Sequence, residues 1–253
     1  MLAGYDHLLA AARRLQWDAD AIDLAPDRAG VRALAPPDRA TLSELATGFW
    51  VAEHAVAAEL EPFVVAAGAG SAARACFAAQ ARDEARHAHF FDRVAREVLG
   101  MAPAAARAAA PAAIRELFEV GLPKAARTLA ADATRLPAAV GLYHLVLEGI
   151  VFAAGQDALL ELLDRHDRLP GVRAGTARVQ ADERWHVGLG VLHLQRVGAA
   201  IDVAGPAAEA IAAWGPRIAT PERMRRVLGA HERRLRIAGA DGAEHAQAIE
   251  SAA

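Results

Sequence analysis

The sequence predicts an all-α protein, built as a four-helix bundle with additional helices and an irregular N-terminal arm. Three observations favour this class. The chain of 253 residues is rich in alanine and only 5% aromatic, which suits long, closely packed helices. Apolar residues recur with helical spacing between clusters of glycine and proline. A glutamate followed at a distance by Glu-x-x-His also occurs twice, and this ligand set is typical of metal sites inside helical bundles.

Apolar periodicity predicts seven helices, at 41–67, 72–99, 112–133, 138–165, 171–198, 206–213 and 220–237. Before them, the first forty residues are predicted to form the irregular arm, which ends near Thr41, a candidate cap for the first long helix. We expect a metal-binding bundle at 41–198, C-terminal helices at 199–238 and a disordered tail at 239–253. Because neither motif copy completes a site alone, residues 1–253 are predicted to form a single domain.

Composition and charge exclude several classes of function. The net charge is −3 at pH 7 and no basic block occurs, so nothing indicates a nucleic-acid surface. The single cysteine, Cys76, cannot form an internal disulfide, and we interpret it as a small buried apolar residue rather than a reactive thiol. The segment Met1–Arg14 lacks the pattern of a secretion signal, and no uninterrupted apolar run of about 18 residues follows. We therefore expect a cytoplasmic protein without a membrane span.

The spacing of the repeated motif carries a geometric argument. The copies are Glu53 with Glu84-Ala-Arg-His87, and Glu148 with Glu183-Arg-Trp-His186. Residues on two antiparallel helices lie level when they are equally far from the turn. The midpoints of the two copies fall on the breaker clusters Gly68-Ala69-Gly70-Ser71 and His166-Asp167-Arg168-Leu169-Pro170-Gly171. Each hairpin therefore brings one glutamate level with a Glu and His pair that shares a helix face.

Four glutamates and two histidines suit a pair of transition-metal ions. Carboxylates can bridge two cations, and imidazole adds a nitrogen donor that iron and manganese accept. Such a centre can bind and reduce dioxygen. Glu59 and Glu61 compete with Glu53 for the first ligand position. Glu59 is rotated about 120° from the Glu53 face, and Glu61 abuts Pro62 close to the turn, so Glu53 is favoured.

The motifs also resemble a known family. The matching segments are Ala52-Glu53-His54-Ala55-Val56, Asp83-Glu84-Ala85-Arg86-His87, Tyr143 to Gly149, Leu169-Pro170-Gly171, and Asp182-Glu183-Arg184-Trp185-His186. From about Tyr5 to Arg196 the chain resembles the small subunit of class I ribonucleotide reductase. It is more similar still to the ribonucleotide-reductase-like ligand-binding oxidases.

The resemblance implies a ferritin-like bundle, a Mn/Fe or Fe/Fe centre and a homodimer. It implies a first metal on Glu53, Glu84 and His87. It implies a second metal on Glu148, Glu183 and His186. Glu84 and Glu183 would be the bridging or shared carboxylates.

Two departures bear on function. A reductase small subunit carries its radical on a tyrosine four residues after the first histidine, where this chain has Phe91, and 239–253 contains no tyrosine to pass a radical on. This argues against a reductase role. In the ligand-binding oxidases a tyrosine at the position of Tyr143 is ether-linked to a valine, whose place we assign to Ala55. Because an alanine methyl gives up hydrogen less readily, the crosslink is absent, or the site oxidises something else, or Tyr143 is an ordinary packing residue.

Further residues are expected around the ligands. Asp182 resembles the family's aspartate that hydrogen-bonds a metal-bound histidine, here His87, and Trp17 resembles the tryptophan that completes this chain. Alternatively, Asp182 pairs with a nearby arginine and Trp17 anchors the arm. His144, one turn before Glu148, is a seventh ligand, a proton donor or a hydrogen-bonded neighbour. We expect no metal binding by the histidines His54, His89 and His193.

We interpret the chain as an O2-dependent oxidase or oxygenase of a bound organic, fatty-acid-like ligand. The apolar residues beyond the metals are Ala55, Phe91, Val94, Leu147, Val151, Val179 and Gly190. In the resembling oxidases this volume holds a long-chain fatty acid, and tight helix packing is the alternative. Two other functions remain open, a di-iron N-oxygenase of an amine or arylamine and a metal-binding or storage protein without turnover. The sequence does not specify an electron donor.

Overall fold

Four long helical stretches carry the six predicted ligands and pack side by side. The computed structural model describes residues 4–198 and 201–239, and these form helices joined by short turns. The ligand-bearing helices are α3 (Pro36–Glu59), α5 (Ala72–Arg93) and α11 (Pro170–Val197), together with a composite helix. The composite helix consists of α9 (Leu136–Val140), a π-helical segment (Gly141–Phe152) and α10 (Ala153–His166). Helix α3 packs along α5, and the π segment packs along α11, so the predicted all-α bundle is confirmed.

Shorter helices surround these four. They are α1 (Tyr5–Arg14), α2 (Ala25–Ala33), α4 (Glu61–Ala66), α6 (Pro103–Ala109), α7 (Ala112–Arg115), α8 (Leu122–Ala131), α12 (Ala204–Ala212), α13 (Gly215–Ile218) and α14 (Pro221–Ala238). Further π turns lie at Val94–Val98 and Glu116–Gly121, and a 3-10 turn at Ala133–Arg135. The C-terminal part of the predicted tail, 240–253, lies outside the described residues.

The N-terminal arm is more regular than the sequence predicts. It forms α1 and α2, and α3 begins at Pro36 rather than near Thr41. Proline at the first turn of a helix loses no hydrogen bond, so Pro26 and Pro36 begin helices here instead of interrupting the chain. Thr41 consequently lies inside α3, where its hydroxyl donates to the carbonyl of Pro37 at 3.0 Å.

Both predicted turns are confirmed. Gly68 and Gly70 have positive φ angles of 85° and 73°, which a side chain would oppose. Ser71 then caps α5 by accepting a hydrogen bond from the backbone N–H of Arg74 at 2.9 Å. In the second hairpin Asp167 adopts the left-handed conformation with φ 44°, and α11 begins at Pro170.

The composite helix runs through the centre of the bundle. Together with the preceding 3-10 turn it forms one stretch, Ala133–His166, that is long and apolar enough to cross a membrane by length and composition alone. However, 78% of its most apolar window is buried inside the protein, as is typical of a core helix. The π segment widens this helix where it carries Tyr143, His144 and Glu148, and π turns often occur at functional sites.

Close helix packing gives a prediction at Gly175 of α11. A methyl group there would overlap the ring of Phe90, whereas one at Gly188 of the same helix would meet Leu8 at an ordinary 3.7 Å. We expect Gly175→Ala to lower the free energy of unfolding by about 1–3 kcal/mol, because a packed ring must move. Gly188→Ala is expected to be neutral or stabilising, because alanine favours a helix over glycine. Urea unfolding of both variants measures the difference, and equal effects would contradict it.

Candidate metal centre

The six predicted ligands converge in the middle of the bundle. One group of ligand atoms belongs to Glu53, Glu84, His87 and Glu183, and a second to Glu84, Glu148, Glu183 and His186. Within each group the atoms lie no more than 4.8 Å from one another. Only Glu84 and Glu183 occur in both groups, and these are the two carboxylates that the resemblance implies as shared. The geometry is that of two adjacent cation sites joined by two carboxylates.

Each histidine turns the same ring nitrogen towards the carboxylates. The Nδ1 atom of His87 lies 3.1 Å from Glu84 and 3.5 Å from Glu183. The Nδ1 atom of His186 lies 3.0 Å from Glu84 and 3.3 Å from Glu183. Glu53 is 3.7 Å from the His87 nitrogen, and Glu148 is 3.6 Å from the His186 nitrogen. The Nδ1 atoms therefore point to where the cations would sit.

The outer ring nitrogens meet aspartates in a crossed arrangement. Nε2 of His87 lies 3.0 Å from Asp182, and Nε2 of His186 lies 3.5 Å from Asp83. Each aspartate therefore belongs to one motif copy and contacts the histidine of the other: Asp182 directly precedes Glu183, and Asp83 directly precedes Glu84. Such partners fix the ring orientation and increase the basicity of the imidazole. Burial would lower the pKa of His87, but hydrogen bonds to Asp182, Glu183 and other carboxylates raise it well above its ordinary value.

Arg86 joins the two aspartates. Its guanidinium donates to Asp83 at 2.7 Å and to Asp182 at 3.0 Å. Trp17 donates its indole N–H to Asp182 at 2.8 Å, and Gln16 donates to Asp83 at 3.1 Å. Asp182 therefore contacts a histidine, the tryptophan and an arginine, which are the partners named in its two expected roles. The part played by Asp83 was not predicted, although Asp-Glu-x-x-His is present in both motif copies and could have signalled it.

The residues fit a pair of cations on an observation independent of the motif. Among the described residues, both oxygens of Glu53, Oε2 of Glu148 and Oε1 of Glu183 are buried without a hydrogen-bond partner. Unpaired buried carboxylate oxygens are costly unless they bind cations. Burial raises the pKa of Glu53, and burial together with the charge of Glu183 raises the pKa of Glu148 to about 8. Two metal ions would satisfy these oxygens and keep the carboxylates ionised.

Tyr143 contacts one of the shared carboxylates. Its hydroxyl donates to Oε1 of Glu84 at 2.8 Å and lies 3.2 Å from the amide nitrogen of Gln80. The Gln80 amide donates to Glu148 at 2.7 Å. Gln80 was not predicted, although it precedes Glu84 by one helical turn and so shares its face. The tyrosine is thus held by the site rather than by packing alone.

His144 lies outside both groups of candidate ligand atoms. Its Nε2 is 2.9 Å from the side-chain oxygen of Gln80, which can only accept, so this nitrogen carries the proton. Burial lowers the pKa of His144 to about 3, which keeps the ring neutral. A side chain at Gly190 would overlap this ring, so Gly190 provides room for His144. Of the three expected roles, the geometry favours that of hydrogen-bonded neighbour.

The crosslink position assigned to Ala55 does not face the centre. Ala55 is partly exposed, and at about 100° per residue it lies on the opposite side of α3 from Glu53. The next residue, Val56, is completely buried and lies within about 60° of the Glu53 direction. The assignment of the crosslinked valine's place to Ala55 therefore selected a residue on the wrong face of the helix.

The apolar side of the centre is closely packed. Phe91 stacks on Phe49 with ring centroids 5.0 Å apart, and Phe49 in turn contacts Phe152 and Trp214. The other predicted lining residues are buried, namely Val94, Leu147, Val151 and Val179. This arrangement favours the alternative of tight helix packing at these positions over a tunnel.

The competing residues lie elsewhere. Neither Glu59 nor Glu61 belongs to the groups of candidate ligand atoms. His54 contacts the backbone carbonyl of Trp50 at 2.7 Å, His89 pairs with Asp20 at 2.7 Å, and His193 contacts Tyr5 at 3.1 Å.

No family model matches the sequence. Solved structures do match the fold. One is a variant of an R2-like ligand-binding oxidase with an anaerobically reconstituted Mn/Fe cofactor, with 19% identity over 99% of this chain and 89% of that chain and a TM-score of 0.69. Another, an aerobically reconstituted Mn/Fe variant, has 18% identity over 99% of this chain and 90% of that chain and a TM-score of 0.70. The fold is that of the R2-like ligand-binding oxidases. The predicted resemblance is thus confirmed at the level of structure.

In this R2-like fold, Asp182 offers a test of the crossed arrangement. Asp182→Asn keeps the shape of the side chain but weakens its hold on His87, so we expect metal affinity to fall by roughly 10- to 100-fold. Asp164→Asn, at an exposed residue paired with Arg173, is the matched control and should leave affinity unchanged. Competition with a chelator of known affinity measures both. Equal affinities in the two variants would show that Asp182 does not support the histidine.

Proposed function

We propose that the protein is an O2-dependent oxidoreductase with a dinuclear Mn/Fe or Fe/Fe centre, which oxidises a bound organic molecule. The observation that carries the proposal is the pair of adjacent four-residue groups that share Glu84 and Glu183. The R2-like fold adds support, since the two solved structures named above are ligand-binding oxidases with reconstituted Mn/Fe cofactors. A homodimer, suggested by the same resemblance, is part of the proposal.

In this proposal Glu53, Glu84 and His87 hold one ion, and Glu148, Glu183 and His186 hold the other. When bound, the ions would supply the electrons with which dioxygen is reduced. The chain supplies a buried site in which Glu53, Glu84, His87 and His186 are fully shielded from solvent. Exclusion of water protects reactive species from side reactions.

Tyr143 is the proposed catalytic side chain. Burial and the charges of Glu148 and Glu84 raise its pKa well above the ordinary value, so its hydroxyl keeps its proton at neutral pH. That proton points at Glu84, 2.8 Å away. Tyr143 is therefore placed to pass its proton to the shared carboxylate Glu84 while it gives one electron to the oxidised centre, which would leave a tyrosyl radical. Gln80 holds the hydroxyl in place from the other side.

The experiment that tests the proposal begins with protein loaded without oxygen, with Fe(II) alone or with Mn(II) and Fe(II). We expect about two ions per chain and consumption of O2 on exposure to air, with Tyr143→Phe retaining metal but altering the oxidised products. Metal-free protein is the control for background consumption. Two bound ions without any O2 consumption would favour the metal-binding or storage alternative.

An N-oxygenase of an amine or arylamine remains the second candidate. The observation in its favour is that both motif copies, Glu53 to His87 and Glu148 to His186, contain Asp-Glu-x-x-His, which also fits that class. Product analysis after turnover with an amine distinguishes it, because nitrogen oxidation gives hydroxylamine or nitro products.

A further inference from the structure

A cavity of about 270 Å³ opens from the surface to one edge of the metal centre. It lies between the composite helix, α11 and α14, and both Glu148 and Glu183 form part of its wall. Of the six predicted ligands, Glu183 alone has an exposed part of its side chain, 6%, whereas the side chain of Glu148 is completely buried. The cavity is therefore a route by which a small molecule can approach Glu183, next to the buried Glu148.

Apart from the predicted metal ligands, the wall of this cavity carries more positive than negative side chains. Of its arginines, Arg226 is paired with Asp157 at 3.0 Å. Arg184 is exposed and contacts only the amide of Gln180, at 3.2 Å, among the hydrogen bonds of the described residues. Arg234 is partly buried and donates to the backbone carbonyl of Gly149 at 2.8 Å. Within the described part of the chain, no carboxylate lies at ion-pair distance from Arg184 or Arg234.

The side-chain amide of Gln156 is a second donor in the cavity wall, and it lacks a hydrogen-bond acceptor among the described residues. The side chain of Gln156 is only 2% exposed, and its amide nitrogen makes no hydrogen bond in the described structure. A buried amide nitrogen without an acceptor costs free energy, and so does a partly buried guanidinium without a carboxylate partner. Gly149 adds to this arrangement, because a side chain at this position would meet the Arg234 guanidinium at 3.0 Å. Within the described part of the chain, the cavity wall thus contains a guanidinium without a carboxylate partner and an amide nitrogen without a hydrogen-bond acceptor.

We propose that this cavity binds a small organic carboxylate, with the carboxylate held by Arg234 and Gln156 and the remainder of the molecule directed at Glu148 and Glu183. The guanidinium fork is suited to carboxylates, and charge-assisted hydrogen bonds are the strong ones. Burial also lowers the pKa of Arg234, so an anion would stabilise its charged form. Arg184, at the exposed edge, attracts the anion.

This inference rests on the proposed function and names its substrate class. It also differs from the fatty-acid expectation in size and orientation. The volume is slightly below the usual range for ligand pockets, which favours a compact molecule over a long chain. The charged end would face outward at Arg234, and the uncharged part would face the metals.

Binding of benzoate to metal-loaded protein under exclusion of oxygen tests the inference, with neutral benzamide as the isostere. Calorimetric titration should show benzoate binding at least tenfold tighter than benzamide. In Arg234→Met we expect benzoate to bind at least tenfold more weakly and benzamide to be unaffected, which removes the preference. Arg233→Met changes the adjacent exposed arginine and should stay within about twofold of the wild type. Gln156→Leu should weaken benzoate binding severalfold, and this variant tests the inference if Arg234→Met does not fold.

The possible results distinguish a failure of the carboxylate-binding inference from a failure of the proposed oxidase function. A carboxylate that binds only by bridging the metals would bind Arg234→Met and Gln156→Leu as tightly as the wild type, and this result would overturn the inference. Metal content is measured on the same samples. Two ions per chain with unchanged benzoate binding in the variants would refute the cavity assignment and leave the oxidase proposal intact. Absence of metal from the wild type would refute the oxidase proposal, whatever benzoate does.

Discussion

Glu84→Ala and Glu183→Ala are each expected to remove both metal ions, reducing the content from about two ions per chain to less than one. The reason is that each of these carboxylates belongs to both groups of ligand atoms. Loss of a shared ligand removes a donor from each ion and the bridge that offsets their mutual repulsion. Elemental analysis of protein purified after growth with iron and manganese measures the effect.

The matched controls are Glu53→Ala and Glu59→Ala on α3. Glu53 belongs to one group of ligand atoms only, so its loss should affect one ion more than the other. Glu59 belongs to neither group, and its replacement should leave about two ions per chain. Two ions retained in Glu84→Ala would be incompatible with a shared-carboxylate centre.

The metal-free protein is expected to become less stable as the pH rises from about 5 to 8. Glu148 has its pKa raised from 4.5 to about 8 by burial and by the charge of Glu183. Between these values the folded protein keeps a proton that the unfolded chain releases, so a higher pH favours unfolding by about 1.4 kcal/mol per pH unit for one proton. The raised pKa values of His87 and His186 act in the same direction above pH 6.5. Urea unfolding with a chelator present, repeated across this range, measures the slope.

Glu148→Gln should make that slope shallower by the contribution of one proton, because glutamine does not titrate. Glu222→Gln, at a side chain that is 80% exposed, is the control and should keep the wild-type slope. Metal-loaded wild-type protein should show the opposite trend, since metal binding requires deprotonated carboxylates and strengthens as the pH rises. A metal-free protein whose stability is constant from pH 5 to 8 would contradict the assignment of buried, proton-binding carboxylates.

The sequence predicted the bundle and the convergence of its ligands because both depend on local periodicity. The spacing between Glu53 and Glu84 and the turn at Gly68 express one geometric constraint, so each supports the other. The first forty residues were predicted to be irregular, but Pro26 and Pro36 lie in the first turns of α2 and α3, where proline favours a helix.

The surroundings of the site were harder to predict because they join residues that are distant in the chain. Gln80 contacts Glu148 across 68 positions, and no periodicity within one helix reveals such a contact. Asp27 is similar, because its carboxylate accepts hydrogen bonds from the N–H groups of Gly171 and Val172 at 3.0 and 2.8 Å and so ties α2 to the start of α11. An error of one residue also moves a position to another helix face: the crosslink position was assigned to Ala55, whereas Val56 is the residue on the Glu53 side of α3.

The crossed pairing of Asp83 with His186 and of Asp182 with His87 makes the two hairpins interdependent. A hairpin that formed by itself would present a glutamate pair and an imidazole with no carboxylate behind it, and Arg86 would have only one of its two aspartates. The repeat in the sequence therefore does not correspond to two half-sites that assemble separately. Each half completes the other, so we expect a chain that contained either hairpin without its counterpart to bind even a single ion more weakly.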